Sequence, residues 1–191
     1  MLHACLADAK FWRLLLAFDE DLAAEARAAG CRYCGGVLHS APYPRKPRGV
    51  AHAVLGAAGE RRLSLCCARE GCRRRTTPGS VRFLGRRVYL GAVVVLASAL
   101  AQGPTPWSRA QLREHFGVGA WTLRRWRRWW WQVFPATPFW RTAQGRFLPP
   151  VAVTELPLAL LERFEPGEAA AVLTHTLAFL TPWSRRLEQA R

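Results

Sequence analysis

Two groups of cysteines, about 30 residues apart, constrain the fold of this chain more than any other feature. Cys31 and Cys34 flank a two-residue turn that runs into Gly35 and Gly36, and a second group follows at 66, 67 and 72. Paired thiolates at this spacing are typical of a tetrahedral zinc site with four sulfur ligands. A lone cysteine is often only a small buried hydrophobic residue, but four at this spacing favour a metal. The sequence therefore predicts one structural Zn²⁺ with no open ligand position.

The second group holds one cysteine more than a four-ligand site needs. In an extended strand alternate residues face opposite sides, so Cys67 shares a face with Leu63 and Leu65, whereas Cys66 lies on the other face. Because the leucines are expected to pack inward, Cys67 is preferred as the ligand. The predicted metal ligands are Cys31, Cys34, Cys67 and Cys72, with Cys66 as the alternate.

Other roles for these residues are weaker hypotheses. A redox role for the Cys31–Cys34 pair lacks the βαβ pattern that surrounds such motifs in thioredoxin-like proteins. His39 is a possible replacement ligand, although a lone histidine after such a turn more often lies at the surface or within a strand. Cys5 has no role that the pattern explains.

Positive charge is concentrated in the central half of the chain. Between Arg61 and Pro150, 17 arginines stand against two acidic residues, Glu70 and Glu114, whereas the remaining residues balance to zero. Codon bias explains why 26 of the 28 basic residues are arginine, but it does not explain the scarcity of acids in one segment. A block of one sign attracts phosphate backbones, because each neutralised phosphate releases counterions. The distribution predicts a nucleic-acid partner.

The chain is predicted to be mainly α-helical with a small β zinc ribbon. A first helix, capped by Asp8 and stopped by Gly30, should bury one apolar face and turn its acidic residues, Asp19 among them, mostly toward solvent. The predicted apolar face comprises Phe11, Leu14, Leu15, Phe18, Leu22 and Ala26. Four units are predicted: an N-terminal amphipathic helix (1–30), a zinc ribbon (31–86), a helix-turn-helix domain (87–150) and a C-terminal helical segment (151–191). The ribbon is expected to contain strand-like pieces at Arg62–Cys67 and Ser80–Leu84. The C-terminal segment is expected to contain helices near Glu155–Phe164 and Glu168–Leu180.

No segment is expected to enter a membrane. The longest apolar run, Val88–Ala101, has 14 residues, which is short of the roughly 20 needed to span a bilayer. It is interpreted as a buried core helix. The N-terminus lacks the basic region of a signal peptide. These features predict a cytoplasmic, nucleoid-associated protein.

Residues 107–134 carry the pattern of two helices joined by a tight turn. Ser108 and Gln111 form a capping box, and Trp107 can pack on Leu112. The first helix is expected to end at Gly117, and the turn Gly117–Gly119 leads into a second helix over Ala120–Phe134. This spacing is typical of a helix-turn-helix.

The second helix separates an apolar from a basic face. The apolar face comprises Leu123, Trp126, Trp130, Val133 and Phe134. The other face carries the predicted DNA contacts, which are Ala120, Trp121, Arg124, Arg125 and Arg128, with Gln132 beyond them. Arg124 and Arg125 suit guanine edges, Arg128 suits phosphate, and Trp121 suits a thymine methyl or a sugar. The alternative is an amphipathic helix with a solvated charged face.

Further basic and aromatic residues are expected to support this surface. Arg73, Arg74 and Arg75 follow the last predicted ligand, so the metal should fix their orientation toward DNA. Trp129 and Trp131 exceed what one apolar face requires, and the alternatives for their contacts are another helix, a dimer partner or the nucleic acid.

The order of these motifs resembles the N-terminal DNA-binding region of bacterial insertion-sequence transposases. The shared elements are Cys-x-x-Cys-Gly, a Cys followed by Cys-Arg-Arg-Arg-Thr-Thr-Pro, a helix, and Leu-Arg-Glu-His-Phe-Gly-Val before Thr-Leu-Arg-Arg-Trp, over about residues 31–134. The stretch Arg82–Leu96 also resembles a group of short uncharacterised bacterial proteins. Two features depart from the transposase pattern: four residues separate Cys67 from Cys72, and Gly119 replaces the usual Ser or Thr cap. The resemblance implies recognition of the ends of a mobile element.

A catalytic role is not expected. A transposase nuclease holds two metal ions with three acidic residues in a fold of roughly 100 residues or more, whereas 41 residues follow Pro150 and they contain no Asp. The sequence therefore predicts a non-enzymatic accessory that binds double-stranded DNA, with a separate transposase or nuclease, or a dimer partner, beside it. The alternatives are a free-standing transcriptional regulator and an RNA- or ribosome-associated zinc-ribbon protein.

Overall fold

A computed structural model shows a mainly helical chain, with 54% of its residues in helices, a small antiparallel sheet and a cluster of four cysteines. The structure describes residues 2–85, 87–103 and 105–189, and residues 183–189 by their backbone alone. The helices are α1 (Ala9–Ala28), α2 (His52–Gly59), α3 (Gly91–Leu100), α4 (Arg109–Phe116), α5 (Ala120–Arg128), α6 (Pro138–Ala143), α7 (Leu158–Glu162) and α8 (Ala169–Gln189). Among the described residues no helix is both long and apolar enough to span a bilayer.

The first helix begins where the sequence predicts, but it is rotated relative to the expected face. Asp8 caps α1 by accepting a hydrogen bond from the backbone of Lys10 at 2.7 Å. Leu14 and Phe18, predicted to be buried, are 45% and 39% exposed. Trp12 is buried instead, and its indole nitrogen donates to the carbonyl of Leu6 at 2.9 Å.

Asp19 corrects the prediction most strongly, because this acid lies in the core rather than in solvent. It is fully buried and accepts hydrogen bonds from the Ser80 hydroxyl at 2.6 Å and the Val81 backbone at 2.7 Å. The Arg82 guanidinium, also fully buried, completes the site with an Nε–Oδ2 distance of 2.8 Å. A buried charge is tolerated only when it is paired and hydrogen-bonded in this way.

Arg82 extends this pair to two further elements. Its guanidinium donates to the carbonyl of Gly59 at the end of α2 at 2.7 Å and to that of Arg61 at 3.1 Å. The segment Ser80–Leu84 is thereby held as a buried turn, so the prediction of a strand there is wrong. A pattern of apolar residues does not distinguish a buried strand from a buried loop that is held by side-chain hydrogen bonds.

In the part of the chain that the structure describes, five short strands form a three-stranded and a two-stranded antiparallel sheet. The strands are β1 (Leu38–Ser40), β2 (Tyr43–Pro44), β3 (Arg61–Arg62), β4 (Leu65–Cys67) and β5 (Arg75–Thr76). The first sheet has the order β1–β4–β5, and the second pairs β2 with β3. Helix α2 lies between β2 and β3 within the region predicted to be ribbon alone, and the sequence interpretation missed it.

Helix α3 is the centre of the main core. Nine of its ten residues are buried, and it packs against α4, α5, α7 and α8. The core continues from Leu6 near the N-terminus to Leu180 in α8. A second, smaller core consists of Cys31, Leu38, Leu65 and Cys67. The predicted C-terminal helices correspond to α7 and α8, whereas α6 lies in what was expected to be a proline-spaced link.

We predict that Asp19→Asn lowers the free energy of unfolding by about 3–5 kcal/mol, because it leaves Arg82 as an uncompensated buried charge. Urea unfolding followed by circular dichroism measures the change. Asp21→Asn is the matched control, because Asp21 is exposed on the same helix, and its effect should stay within about 0.5 kcal/mol. Equal losses in the two variants would contradict this role for the ion pair.

Candidate functional site

Four thiols from separate parts of the chain converge on one point. The sulfur atoms of Cys31, Cys34, Cys67 and Cys72 all lie within 4.8 Å of one another. The Cys34–Cys67 separation is 3.5 Å and the Cys31–Cys72 separation is 3.8 Å. A tetrahedral metal with four thiolates at about 2.3 Å requires sulfur–sulfur distances of about 3.8 Å. The cluster therefore has the dimensions of a four-sulfur metal site.

The first cysteine turn is shaped by close backbone packing. The backbone N–H of Gly35 donates to the Cys31 carbonyl at 2.7 Å, which closes the turn. A Cβ placed on Gly36 would lie 3.3 Å from the sulfur of Cys67 and 3.4 Å from that of Cys34. Glycine is favoured at position 36 because a side chain there would press against the two sulfur atoms.

The second turn and the sheet bring the remaining two thiols into place. Cys67 ends β4 and pairs with Leu38 of β1, so both residues point into the small core. The chain then loops back, and the backbone N–H of Cys72 donates to the Arg69 carbonyl at 3.2 Å. Four intervening residues thus form a wider turn than the first one, and they still deliver Cys72 to the cluster.

Backbone N–H groups face three of the four sulfurs. Hydrogen bonds from the backbone of Gly36, then from neighbouring thiols, lower the pKa of Cys34 to about 7. The backbone of Arg69 acts to lower the pKa of Cys67, but burial and the adjacent thiols outweigh it and raise that pKa to about 12. The thiol of Cys34 therefore ionises more readily than that of Cys67, because their pKa values are shifted in opposite directions. Such a donor set suits a cation, which replaces the protons that the thiols share.

The other sulfur and nitrogen candidates lie elsewhere. Cys66 and His39 pair across β4 and β1, on the face opposite the cluster. The Cys66 thiol contacts the Arg73 carbonyl at 3.4 Å. Cys5 lies in the N-terminal 3₁₀ turn and packs against the main core. Within the described residues, the cluster therefore contains Cys67 and neither Cys66 nor His39.

The arginines that follow the last thiol are partly engaged in the fold. Arg75 donates to the Ala41 carbonyl at 3.1 Å and to the Ser64 hydroxyl at 3.3 Å. The Arg74 guanidinium lies 4.4 Å above the centre of the Tyr33 ring. Arg73 is exposed and has a positive φ of 43°. The side chains of Arg74 and Arg75 thus contact the protein as well as solvent.

Helices α4 and α5 are joined by a short and well-fixed turn. Ser108 and Gln111 form the predicted capping box at the start of α4. Gly117 ends that helix in the left-handed conformation (φ 62°), which a residue with a side chain rarely adopts. The Tyr89 hydroxyl donates to the Gly117 carbonyl at 3.0 Å, and its ring packs edge-on against Trp126 of α5. Tyr89 therefore links the turn to the buried face of α5.

The opposite face of α5 is basic and open to solvent. Its exposed residues are Ala120, Trp121, Arg124, Arg125, Arg127 and Arg128. Trp121 is 67% exposed, and the Arg125 guanidinium lies 5.0 Å from the centre of its ring. Arg128 donates from Nε to the Gln132 side chain at 3.2 Å. The structure thus places all five predicted contacts of this helix on one accessible surface.

The apolar face of α5 differs from the prediction after Arg128, because the helix widens into a π turn over Trp129–Val133. The backbone N–H of Phe134 donates to Trp129, five residues back, at 2.8 Å. The wider turn shifts the buried positions, so Trp129 is buried and Val133 is 49% exposed. Val133 was wrongly assigned to the buried face. Trp131 donates from its indole nitrogen to the Leu156 carbonyl at 3.3 Å.

Two further arginines, one on α5 and one close to it in the fold, were not among the residues predicted from the sequence. Arg127 is exposed and lies 5.3 Å from the ring centre of Trp131. Arg87 lies 4.1 Å above the ring of Trp129, and burial, with the nearby charge of Arg125, lowers the pKa of Arg87 to about 10. The only sequence signal for Arg87 was its position within the basic block, because its proximity to α5 depends on tertiary packing.

We predict that Tyr89→Phe lowers the free energy of unfolding by about 0.5–1.5 kcal/mol, because the Gly117 carbonyl loses its hydrogen-bond donor. Urea unfolding measures the change, and amide exchange should become faster at residues 117–119. Tyr43→Phe is the matched control, since no hydrogen bond to the Tyr43 hydroxyl is seen among the described residues. Indistinguishable effects of the two substitutions would show that the hydroxyl does not stabilise the turn.

The candidate functional site thus consists of two features, a four-thiol cluster and an exposed arginine surface on α5. No protein-family model matches this chain, and neither a curated protein nor a solved structure is similar to it.

Proposed function

We propose that the protein binds double-stranded DNA through α4 and α5, which act as a helix-turn-helix, and that one structural Zn²⁺ holds its four-cysteine ribbon. The observation that carries this proposal is the exposed basic face of α5, which follows a capped helix and a fixed turn. No acidic residue occurs between Glu114 and Glu155 in the sequence. A DNA phosphate that contacts this segment is therefore not repelled by a carboxylate close in sequence.

The zinc proposal is supported by the composition and spacing of the thiol cluster. Zn²⁺ prefers four-coordinate tetrahedral sites, and four thiolates leave it no open position for a substrate. The surrounding segment has little apolar material of its own, because its core consists of only four buried residues. A bound metal supplies the folding free energy that so small a core lacks.

The helix-turn-helix proposal is supported by the way in which the fold buries one side of the helix pair. Helix α3 packs against both α4 and α5. Val118 in the turn and Trp126 in α5 are buried in the same core. Gly119 precedes α5 without a side-chain cap. The first backbone N–H groups of α5 are therefore open to an oxyanion, as in a helix that meets phosphate.

The side chains of α5 divide between base and phosphate contacts in this proposal. Arg124 and Arg125 lie near the N-terminus of the helix, where a recognition helix approaches base edges. Arg128 is one turn further along and is oriented by Gln132, which suits a phosphate contact. Trp121 presents an apolar ring that suits a thymine methyl or a sugar.

We further propose that the protein is a transposase-related accessory and not a nuclease. Among the side chains that the structure describes, the four cysteines form the one cluster of three or more metal-binding groups. Within those described side chains no three carboxylates lie close enough together to hold two catalytic metal ions. A separate nuclease would supply the chemistry, and a regulator with the same modules remains the second candidate.

We predict that the purified protein contains about one zinc per chain and that Cys67→Ser removes it. Cys66→Ser is the matched control, because Cys66 is adjacent in sequence but lies outside the cluster. Zinc is measured by atomic emission against protein concentration. Full zinc content in Cys67→Ser together with loss in Cys66→Ser would overturn the proposed ligand set.

We predict that selection from a random duplex library enriches a sequence motif. Arg124→Ala should weaken binding to that motif by about 1–3 kcal/mol and relax the preference at one base pair. Arg128→Gln should reduce the slope of log K against log salt by about 1 without changing the preference, because it removes one phosphate contact. Fluorescence anisotropy at several salt concentrations measures both effects.

Arg27→Gln is the control for these variants, because it removes the same charge from the exposed side of α1. It should leave both the affinity and the salt slope close to those of the parent protein. Salt-sensitive binding without any enriched motif would show that the protein binds the DNA backbone without sequence preference, which contradicts the proposal of base recognition. Tighter binding of structured RNA than of the selected duplex would instead favour an RNA-associated role.

A further inference from the structure

The junction of α3, α4 and α5 contains a cleft of about 480 Å³ that is separate from the four-thiol cluster. Three arginines line it, namely Arg109 from α4 and Arg124 and Arg127 from α5, and no acidic residue does. A cleft of this volume lies within the usual range for small-molecule sites, about 300–1,000 Å³. The lining therefore favours an anion, and the volume favours one larger than a bare phosphate.

Two buried polar atoms of the cleft have no hydrogen-bond partner among the described residues. They are the hydroxyl oxygen of Ser98, a residue of α3 that is 2% exposed, and the side-chain oxygen of Gln102. Buried polar atoms are nearly always paired, because leaving one unpaired is unfavourable. An amide oxygen accepts hydrogen bonds only, so the Gln102 oxygen requires a donor such as an N–H group.

Most of the remaining residues that line the cleft are apolar, among them Leu112, Leu123 and Trp107, although Ser108 also contributes. Ala120 also contributes, and it begins α5 just after the uncapped Gly119. The lining thus combines arginines, apolar side chains and two unpaired acceptor atoms.

We propose that this cleft binds a small organic anion of the nucleoside monophosphate class. Its phosphate interacts with Arg109, Arg124 and Arg127, and its flat base packs on the apolar residues of the lining. Its ring or amino N–H groups donate to Ser98 and Gln102 after these two side chains turn toward the ligand, because both acceptor atoms are closed to solvent in the free protein. One ligand must combine three properties, namely a negative charge, an apolar ring and a hydrogen-bond donor. Together these properties indicate the class. Occupancy does not require duplex DNA.

Isothermal titration calorimetry on the full-length, metal-loaded protein tests the proposal, with AMP, GMP, CMP and UMP as probes. At least one of them should saturate, and adenosine and inorganic phosphate should each bind about tenfold more weakly, since each supplies only part of the ligand. Ser98→Ala, Gln102→Ala and Arg127→Gln should each weaken binding of the preferred nucleotide by about tenfold. Arg113→Gln is the matched control, because Arg113 is exposed on α4 and does not line the cleft.

Ser98→Ala also distinguishes a ligand site from a purely structural role. The free variant should be at least as resistant to urea as the parent, because the lost hydroxyl is unpaired in the free protein. The proposal is overturned if no mononucleotide saturates at millimolar concentration, if inorganic phosphate binds as tightly as any nucleotide, or if the three variants bind like the parent. Because no DNA is present, failure of duplex recognition leaves this test intact.

Discussion

The buried ion pair between Asp19 and Arg82 joins the parts of this protein that local sequence signals leave unconnected. The pair brings α1 against the turn over Ser80–Leu84, and Arg82 also binds carbonyls at Gly59 and Arg61. Two buried charges lose much of their hydration free energy, and only complete hydrogen bonding offsets that loss. The carboxylate accepts three hydrogen bonds and the guanidinium donates to further carbonyls, so this condition is met. The pair thereby fixes the position of Ser80–Leu84 relative to α1 and to the end of α2.

Features that depend on residues close in sequence could be predicted. The capping box of Ser108 and Gln111 requires only a three-residue spacing, and the structure contains it. The alternation of side chains in a strand placed Cys67 on the face of Leu65, and the structure brings this thiol into the cluster and leaves Cys66 outside. Both features follow from backbone periodicity, which the sequence shows directly.

Features that depend on distant partners could not be predicted. Asp19 lies in a run of acids on α1, and its burial becomes favourable through partners in the segment Ser80–Arg82, which lies 61 to 63 residues away in sequence. The π turn after α5 buries Trp129 and exposes Val133, because the helix adapts to packing that a regular period of 3.6 residues does not describe. Arg87 reaches α5 through the same kind of long-range contact.

Two groups of arginines among the described residues differ in what binds their guanidinium groups. Arg75 and Arg82 donate to protein carbonyls, so they stabilise the fold. The arginines along α5 lie in solvent, and the charge of Arg125 adds to burial in lowering the pKa of Arg87. In the folded protein these arginines therefore repel one another at the surface of α5, and no carboxylate close in sequence offsets that repulsion. An anionic partner such as the proposed DNA would relieve that repulsion on binding. The proposal therefore gives the high density of charge at α5 a physical reason that fold stability alone does not provide.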